Sequence, residues 1–304
     1  MLVPITTILT LAAPALCWDG FGHQTVGFLA QKYFTAETNL LVRDLVGLRP
    51  DFDIGDAAAW ADTVRDRDNL PWSKNWHFIN PKGDDPEHGI CTMEWLSDCV
   101  GSNCIVAAIA NQTAITLDVN RPAIHRRNAT MFLLHLFGDL HQPLHTSGFK
   151  LGGNAVRPVC FGAAVPCAES SSSLHAVWDA SFSRKLRGLP KETTPEEDKA
   201  AALAWADDIY RRQNTSGINV ETCADLVGSK CIVKYAAESN KLSCTHVLKR
   251  GEAWVLANDL SGVYYDENIG VIEQQVGKAG VRLAAWMNAL ARELKSQERG
   301  DLKV

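Results

Sequence analysis

The stretch LLHLFGDLHQPLH, residues 133–145, carries the pattern on which both the fold and the chemistry depend. His135 and Asp139 are four residues apart, so on a helix both side chains project from the same face. An imidazole and a carboxylate stacked in this way can hold one metal ion. His145 lies beyond a proline, where the chain has left the helix. The stretch therefore predicts a helix that carries a metal site.

The same spacing recurs in HAVWD, where His175 and Asp179 are again four residues apart. Two unrelated polar pairs are the alternative interpretation, but two copies in apolar surroundings favour metal binding. Asp62 lies in the Ala- and Trp-rich run AAAWADTVRDR, where an unpaired carboxylate would be unfavourable. His77 lies between aromatic residues in WSKNWHFIN, a setting more typical of a packed core histidine when considered alone.

Apolar residues at helical spacing dominate the rest of the chain. They recur in TVGFLAQKYF, NCIVAAIANQTAITLDV, PAIHRRNATMFLLHLFGDLH, EDKAAALAWADDIYRRQ and QQVGKAGVRLAAWMNALARELK. The best strand candidate is NAVRPVCF, as one arm of a hairpin within the Gly-, Pro- and Ser-rich insertion KLGGNAVRPVCFGAAVPCAESSSS, which otherwise predicts a surface loop. The sequence predicts one mainly helical, all-α domain with a small hairpin or loop insertion.

The composition describes an exported globular protein. The chain has 304 residues, of which 46% are hydrophobic and 21% are charged. Residues 1–17, MLVPITTILTLAAPALC, carry no charge and predict a signal peptide, which leaves residues 18–304 as the mature, secreted domain. The net charge of −5 gives no sign of the basic face that duplex-binding proteins use. No later segment is apolar and long enough to predict a membrane span.

Eight cysteines remain after cleavage, and an even number in an exported chain predicts disulfides. Three pairs are close in sequence, and their pairing leaves the two outer cysteines for each other: Cys99 with Cys104, Cys160 with Cys167, Cys223 with Cys231, and Cys91 with Cys244. The sequence alone does not fix this connectivity. No CxxC pair supports a thiolate zinc site. The sequons at Asn111, Asn128 and Asn214 predict N-glycosylation.

Taken in order, these motifs resemble a known family. The mature chain resembles, over essentially its whole length, the fungal and plant zinc-dependent single-strand nucleases of the S1/P1 type. The resemblance is carried by WDGFGH with Trp18 and His23, followed by WAD, HFI, HLFGDLHQPLH, GGN and HAVWD. The resemblance implies a single-domain helical fold, shared with bacterial zinc phospholipases C, and three zinc ions. It also implies a ligand role for Trp18, whose α-amine becomes free when the signal peptide is removed.

The resemblance assigns ligands to each zinc ion. The first is expected to bind Asp62, His77, His135 and Asp139; the second the amine and carbonyl of Trp18, His23 and the other oxygen of Asp139; the third His145, His175 and Asp179. His141 matches a position that is not a ligand in the family. His88, His125 and His246 match no motif, and we expect them to be surface or packing residues.

The expected reaction is in-line attack of metal-activated hydroxide on a phosphodiester of single-stranded DNA or RNA, giving 5′-phosphorylated products, together with removal of 3′-phosphates from nucleotides. Asp62, Arg65 and Asp139 are the expected catalytic residues. Arg65 stands where fungal members have lysine, and arginine can also neutralise charge on the phosphate.

Base binding in the family assigns stacking to Phe78 and a hydrogen bond to Asn154, with Gly152 and Gly153 allowing close approach. Asn80 replaces an aspartate of the fungal pattern, so the preferred base is left open. A zinc phospholipase C on the same fold and a non-catalytic secreted zinc-binding protein are the alternative functions. We expect a monomer with no membrane or protein partner.

Overall fold

Helices make up most of the computed structural model, which describes residues 19–67, 71–168, 172–217 and 219–300. The predicted signal peptide and Trp18 lie outside these residues. In chain order the α-helices are α1 (Gly20–Lys32), α2 (Ala36–Val46), α3 (Ile54–Arg67), α4 (Trp95–Asp98), α5 (Ile105–Leu117), α6 (Ala123–Asp139), α7 (Leu174–Ala176), α8 (Phe182–Leu186), α9 (Pro195–Thr215), α10 (Lys230–Leu242), α11 (Glu252–Ala257) and α12 (Val263–Glu298). The prediction of an all-α fold is confirmed.

The five predicted helical segments fall on α1, α5, α6, α9 and α12. Helix α12 is longer than its apolar pattern indicates, because it begins at Val263 rather than near residue 274. Short 3-10 helices, Pro71–His77 and Pro143–Thr146 among them, lie between the α-helices, and a π-helical turn spans Val177–Ser181. Among the described residues, no helix is both long enough and apolar enough to span a membrane.

Helix α6 lies at the centre of the fold. Every residue from Ala129 to Asp139 is buried, because α2, α3, α5 and α12 pack around it. Helix α1 packs against α3, α9 and α12, and it also contacts α6. The second half of α6 is therefore surrounded on all sides, which explains why apolar residues occupy nearly every position there except His135 and Asp139.

Side-chain caps fix where several helices begin. Asp19 accepts a hydrogen bond from the backbone nitrogen of Gly22 at 3.1 Å and so starts α1. Thr194 and Glu197 form a reciprocal capping box at the start of α9. Gly47 ends α2 in the left-handed conformation, with φ 76°.

The insertion after Phe149 is a loop, and the predicted hairpin arm is wrong for the described residues. Val159 makes an isolated antiparallel bridge to Ser172, and Cys160 makes an isolated parallel bridge to Asp259. Pro158 interrupts NAVRPVCF and has no N–H to donate, so a ladder cannot run through this stretch.

Four disulfides hold the chain in the predicted pairing: Cys91–Cys244, Cys99–Cys104, Cys160–Cys167 and Cys223–Cys231. The last three close small loops. Cys91–Cys244 spans 153 residues and joins the segment before α4 to the turn after α10.

Candidate metal centre

His135 and Asp139 occupy the last turns of α6 and face the same side of the helix. Both side chains are fully buried, and His135 Nε2 lies 3.1 Å from Asp139 Oδ2. A buried imidazole and carboxylate need polar partners, because their desolvation is otherwise unfavourable. Those partners come from four other segments of the chain.

The first group of side chains lies where α6 meets α3 and the 3-10 helix that ends at His77. His77 Nδ1 lies 2.9 Å from Asp139 Oδ2 and 3.1 Å from His135 Nε2. Asp62 Oδ1 lies 3.6 Å from His135 Nε2 and 3.7 Å from His77 Nδ1. Atoms that converge in this way can surround a single ion.

A second group forms on the other side of the same carboxylates. His23 Nε2, from α1, lies 3.3 Å from Asp139 Oδ1 and 4.0 Å from Asp62 Oδ2. The ring of His23 stacks on that of His135 with centroids 3.6 Å apart. Asp62 and Asp139 each turn one oxygen towards the first group and the other towards His23. This geometry suits the expected sharing of Asp139 between two ions, because its two oxygens face different groups.

The third group combines His145, His175 and Asp179. His175 Nε2 lies 3.0 Å from Asp179 Oδ2, and His145 Nε2 lies 3.7 Å from Asp179 Oδ1. His175 lies in α7 and Asp179 lies in the π-helical turn that follows it, yet the two side chains still meet. His145 Nδ1 lies 3.4 Å from Asp139 Oδ1, so this group adjoins the other two.

The start of α1 lies beside the third group. The backbone nitrogen of Asp19 is 3.5 Å from the carbonyl oxygen of Asp179. Arg184 Nε donates to Asp19 Oδ2 at 2.7 Å and anchors this end of the helix. Trp18, the expected amine ligand, lies outside the described residues.

The residues at the centre fit metal ions. Several of their polar atoms are buried and make no hydrogen bond, including His23 Nε2, Asp139 Oδ1, His145 Nε2 and Asp179 Oδ2. Buried polar atoms without a partner are rare in folded proteins, and these four belong to residues of the three groups. Imidazole nitrogens and carboxylate oxygens are the donor set that zinc and other divalent transition metals accept.

Backbone carbonyls orient three of the histidines. Each Nδ1–H donates to a carbonyl oxygen: His135 to Ala58 at 2.8 Å, His145 to His77 at 2.8 Å and His175 to Gly152 at 2.6 Å. A histidine that donates from Nδ1 presents the lone pair of Nε2, and such contacts fix the ring for metal binding. These three rings are therefore oriented before any ion binds.

The carboxyl groups of the centre are ionised although they are buried. Burial raises the pKa of Asp139, but the imidazoles of His135 and His145 outweigh it and hold that pKa well below its usual value. The pKa values of Asp62 and Asp179 are lowered for the same reason. Burial lowers the pKa of His145, but Asp139 and Asp179 outweigh it and raise that pKa to about 9. An ion bound by His145 would therefore displace a proton from its ring.

Gln142 is a buried residue that the sequence patterns did not single out. Its side-chain nitrogen donates to Asp179 Oδ1. Its side-chain oxygen accepts from the backbone nitrogen of Leu144 at 2.5 Å and caps the 3-10 helix that carries His145. One amide thus holds two members of the third group in place. Gln142 lies within the stretch of residues 133–145, next to the candidate ligands. Its hydrogen bonds to Asp179 and Leu144 form only in the folded chain, so sequence patterns do not predict them.

The GGN turn supports the third group. Gly152 has φ 60°, and a Cβ there would lie 2.5 Å from the carbonyl oxygen of Leu144 and 3.6 Å from His175 Nδ1. Gly153 has φ 77°. Asn154 Nδ2 donates to the Leu151 carbonyl oxygen at 3.0 Å and is half-buried. The turn therefore has a structural reason for its glycines, in addition to the predicted role in base binding.

The other predicted substrate residues lie on elements that carry metal ligands. Phe78 and Asn80 follow His77 directly and are half-buried. Arg65 lies on α3 one turn after Asp62, and its side chain is outside the description. Base stacking, base hydrogen bonding and phosphate neutralisation by these residues stay predictions.

His141 belongs to a separate buried network. Its Nδ1 donates to the Phe137 carbonyl oxygen at 2.7 Å, and its Nε2 accepts from Arg282 Nη1 at 3.1 Å. Burial and the Arg282 charge lower its pKa to about 3. His88, His125 and His246 lie outside the three groups, and the sequon residues Asn111 and Asn214 are exposed while Asn128 is half-buried.

The chain is similar to known nucleases over nearly its whole length. Residues 18–292 match the S1/P1 Nuclease family. Nuclease S1 of Aspergillus oryzae is 31% identical over 304 residues, which cover 96% of this chain and 98% of the relative. Nuclease P1 of Penicillium citrinum is 29% identical, with 90% and 97% covered. Endonuclease 3 of Arabidopsis thaliana is 28% identical, with 95% and 94% covered.

Proposed function

The chain belongs to the S1/P1 nuclease family, and we propose from this premise that it is a secreted, zinc-dependent endonuclease of single-stranded DNA and RNA. Its products would be 5′-phosphorylated, and it would also remove 3′-phosphates from nucleotides. The observation that carries the proposal is the convergence of three His and Asp groups inside one helical fold. The mature domain would comprise residues 18–304 after removal of a signal peptide, residues 1–17.

Zinc is the proposed metal because the donor set is imidazole and carboxylate, and because the third group offers three side chains. Structural zinc sites use four protein ligands, most often with cysteine, whereas a site with three leaves a position for water or substrate. All eight cysteines named above are paired in disulfides. When bound, the zinc ions would activate water and stabilise charge on a phosphate.

The side chains of the centre have distinct parts in this proposal. Asp139 would be shared by the first two zinc ions, and Asp62 would be a ligand of the first. His145, His175 and Asp179 would hold the third ion near the departing oxygen of the scissile bond. Gln142 and the carbonyl contacts of the histidines would keep these ligands fixed, so little reorganisation is needed when substrate binds.

Substrate recognition would depend on unpaired bases. Phe78 would stack on a base, Asn80 and Asn154 would hydrogen-bond to its edge, and Gly152 and Gly153 would let it approach closely. Arg65 would neutralise charge on the phosphate. A duplex hides the flat faces of its bases, so single strands are the expected substrates. The net charge of −5 is compatible with this, because bound metal ions would attract the phosphate locally.

The test is hydrolysis by the purified, processed protein. We expect cleavage of denatured DNA and of RNA, loss of cleavage after chelation, and recovery with zinc. Metal analysis should give about three zinc ions per chain, one for each group. Phosphatidylcholine vesicles should be left intact. A zinc-loaded protein that cleaves neither nucleic acid would refute the proposal, and hydrolysis of the lipid in its place would favour a phospholipase.

The proposed role of Trp18 has its own test. A form that retains one extra residue before Trp18 would lack the free α-amine at the position next to Asp19. We expect this form to bind the second zinc weakly and to lose most of its activity. Full activity and zinc content in the extended form would exclude the amine as a ligand.

A further inference from the structure

Four aromatic side chains from the elements that carry metal-ligand candidates pack together, and we call them the aromatic array: Trp60, Trp72, Trp76 and Phe132. The rings of Trp72 and Trp76 meet edge to face with centroids 4.8 Å apart. Trp76 in turn lies 5.1 Å from Phe132, and Trp60 lies 5.4 Å from Phe132. These are the separations at which aromatic pairs attract each other, so the array is a rigid unit.

Each member of the array is on an element that carries a metal-ligand candidate. Trp60 is two residues before Asp62 on α3, and Phe132 is three residues before His135 on α6. Trp72 shares a 3-10 helix with His77, five residues further on. At about 2.0 Å per residue, this places Trp72 about 10 Å along the helix from His77.

Trp72 is the exposed end of the array. It is 52% exposed, whereas Phe132 is 2% exposed and Trp60 and Trp76 are half-buried. Trp76 and Phe132 contact the Trp72 indole, and the rest of its surface faces solvent. These contacts restrain the indole from folding back onto the protein surface. Lys74, on the same 3-10 helix, is also exposed and can pair with a phosphate.

We infer that Trp72 is a stacking subsite for a base of the single-stranded substrate, outside the base site expected around Phe78. A solvent-facing indole supported by other rings is the kind of platform on which sequence-independent single-strand binders stack a base. The separation of about 10 Å from His77 places this base at a nucleotide beyond the scissile phosphate. A 3′-mononucleotide would not extend to Trp72. The inference rests on the proposed function.

The experiment compares Trp72→Leu with Trp72→Phe. Leucine keeps an apolar side chain but has no ring, whereas phenylalanine keeps a stacking face. The substrates are a 3′-mononucleotide and a single-stranded oligothymidylate long enough to pass both sites. For Trp72→Leu we expect KM on the oligonucleotide to rise about 5- to 100-fold, the range that one lost base stack gives. KM and kcat on the mononucleotide should not change, and Trp72→Phe should recover most of the loss.

Binding is measured separately from cleavage, by anisotropy of a labelled, hydrolysis-resistant oligothymidylate with the zinc-loaded protein. The same loss of affinity is expected for Trp72→Leu. Leu40→Ala on α2, also 52% exposed, is the control for changing an exposed apolar residue and should leave both measurements unchanged. Equal KM for wild type and Trp72→Leu on the oligonucleotide would overturn the inference, as would an equal rise on the mononucleotide. Wild-type protein that leaves denatured DNA intact would instead refute the proposed function.

Discussion

Replacing Gln142 by glutamate should weaken the third metal site and leave the fold intact. The change preserves the volume of the side chain and the oxygen that accepts from Leu144. It replaces the amide donor that faces Asp179 with a second carboxyl oxygen. Both side chains are fully buried, so solvent does not screen the repulsion. Asp179 then either moves or shares a proton with the new carboxyl, and in both cases it binds a metal less well.

The size of the effect follows from the kind of contact that is lost. Removing a partner that orients a metal ligand lowers affinity or activity by about 10- to 100-fold. This corresponds to about 1.4 to 2.8 kcal/mol at 1.4 kcal/mol per tenfold change, which agrees with the value of about 1.5–3 kcal/mol for a hydrogen bond to a charged group. The loss should be confined to the third site, because the side chain of Gln142 hydrogen-bonds to Asp179 and to the backbone nitrogen of Leu144 at the start of the 3-10 helix that carries His145.

The assay is a zinc titration against a chromophoric chelator, with metal content measured after dialysis. We expect two ions to bind as in the wild type and one to bind about 10- to 100-fold more weakly, with a matching loss of kcat. Gln142→Met, which removes both polar contacts, should show at least the same loss. Gln112→Met on α5, a buried glutamine away from the three groups, is the matched control. If Gln142→Glu binds all its zinc with wild-type affinity, the positioning role assigned to Gln142 is wrong.

Three further predictions concern the support of the centre. Gly152→Ala should release the third zinc and lower the melting temperature more than Gly47→Ala does. The new Cβ at residue 152 would lie 2.5 Å from the Leu144 carbonyl oxygen, whereas Gly47, which is also left-handed, has open space around it. Equal changes of melting temperature for the two variants would contradict this prediction. Chelation of the wild-type protein should lower its melting temperature, since ions that bind only the folded state at a hundred times their Kd add about 2.7 kcal/mol; an unchanged melt after metal removal, verified by metal analysis, would argue against these sites. Replacing Cys91 and Cys244 by serine should lower the free energy of unfolding by about 2–5 kcal/mol in a denaturant titration, and a smaller change would mean that the unfolded chain gains little freedom.

The helices and two of the His–Asp pairs are predictable from local sequence. The i and i+4 spacing of His135 with Asp139 places both on one face, and the structure has them 3.1 Å apart. His175 and Asp179 meet as predicted, although the chain between them is π-helical rather than α-helical. Short-range periodicity is reliable here because it depends only on the geometry of one turn.

The assembly of the centre is not predictable from local spacing. His23 and His77 reach Asp139 through the packing of α1 and of a 3-10 helix against α6, and no periodicity encodes that contact. The family resemblance supplies their roles, because it reflects the complete fold. Gln142 and the carbonyl of Gly152 act by hydrogen bonds that exist only when distant segments meet. The hairpin prediction failed because it relied on the alternation of apolar residues in NAVRPVCF. It gave too little weight to Pro158, which has no N–H to donate to a strand ladder.

The disulfide between Cys91 and Cys244 constrains the order in which disulfides can form during synthesis of this protein. During synthesis Cys91 emerges 153 residues before its partner, while Cys99 and Cys104 follow it closely. Short loops close with a smaller loss of entropy than long ones. The thiols of Cys99 and Cys104 can therefore react with Cys91 while the chain is still being synthesised. Any bridge that Cys91 forms in this interval must be exchanged before the native one can form, a reaction that takes minutes to hours when it is not catalysed. An oxidising compartment with a disulfide isomerase is therefore the setting in which the chain matures efficiently, and yield from a recombinant host should depend on that enzyme.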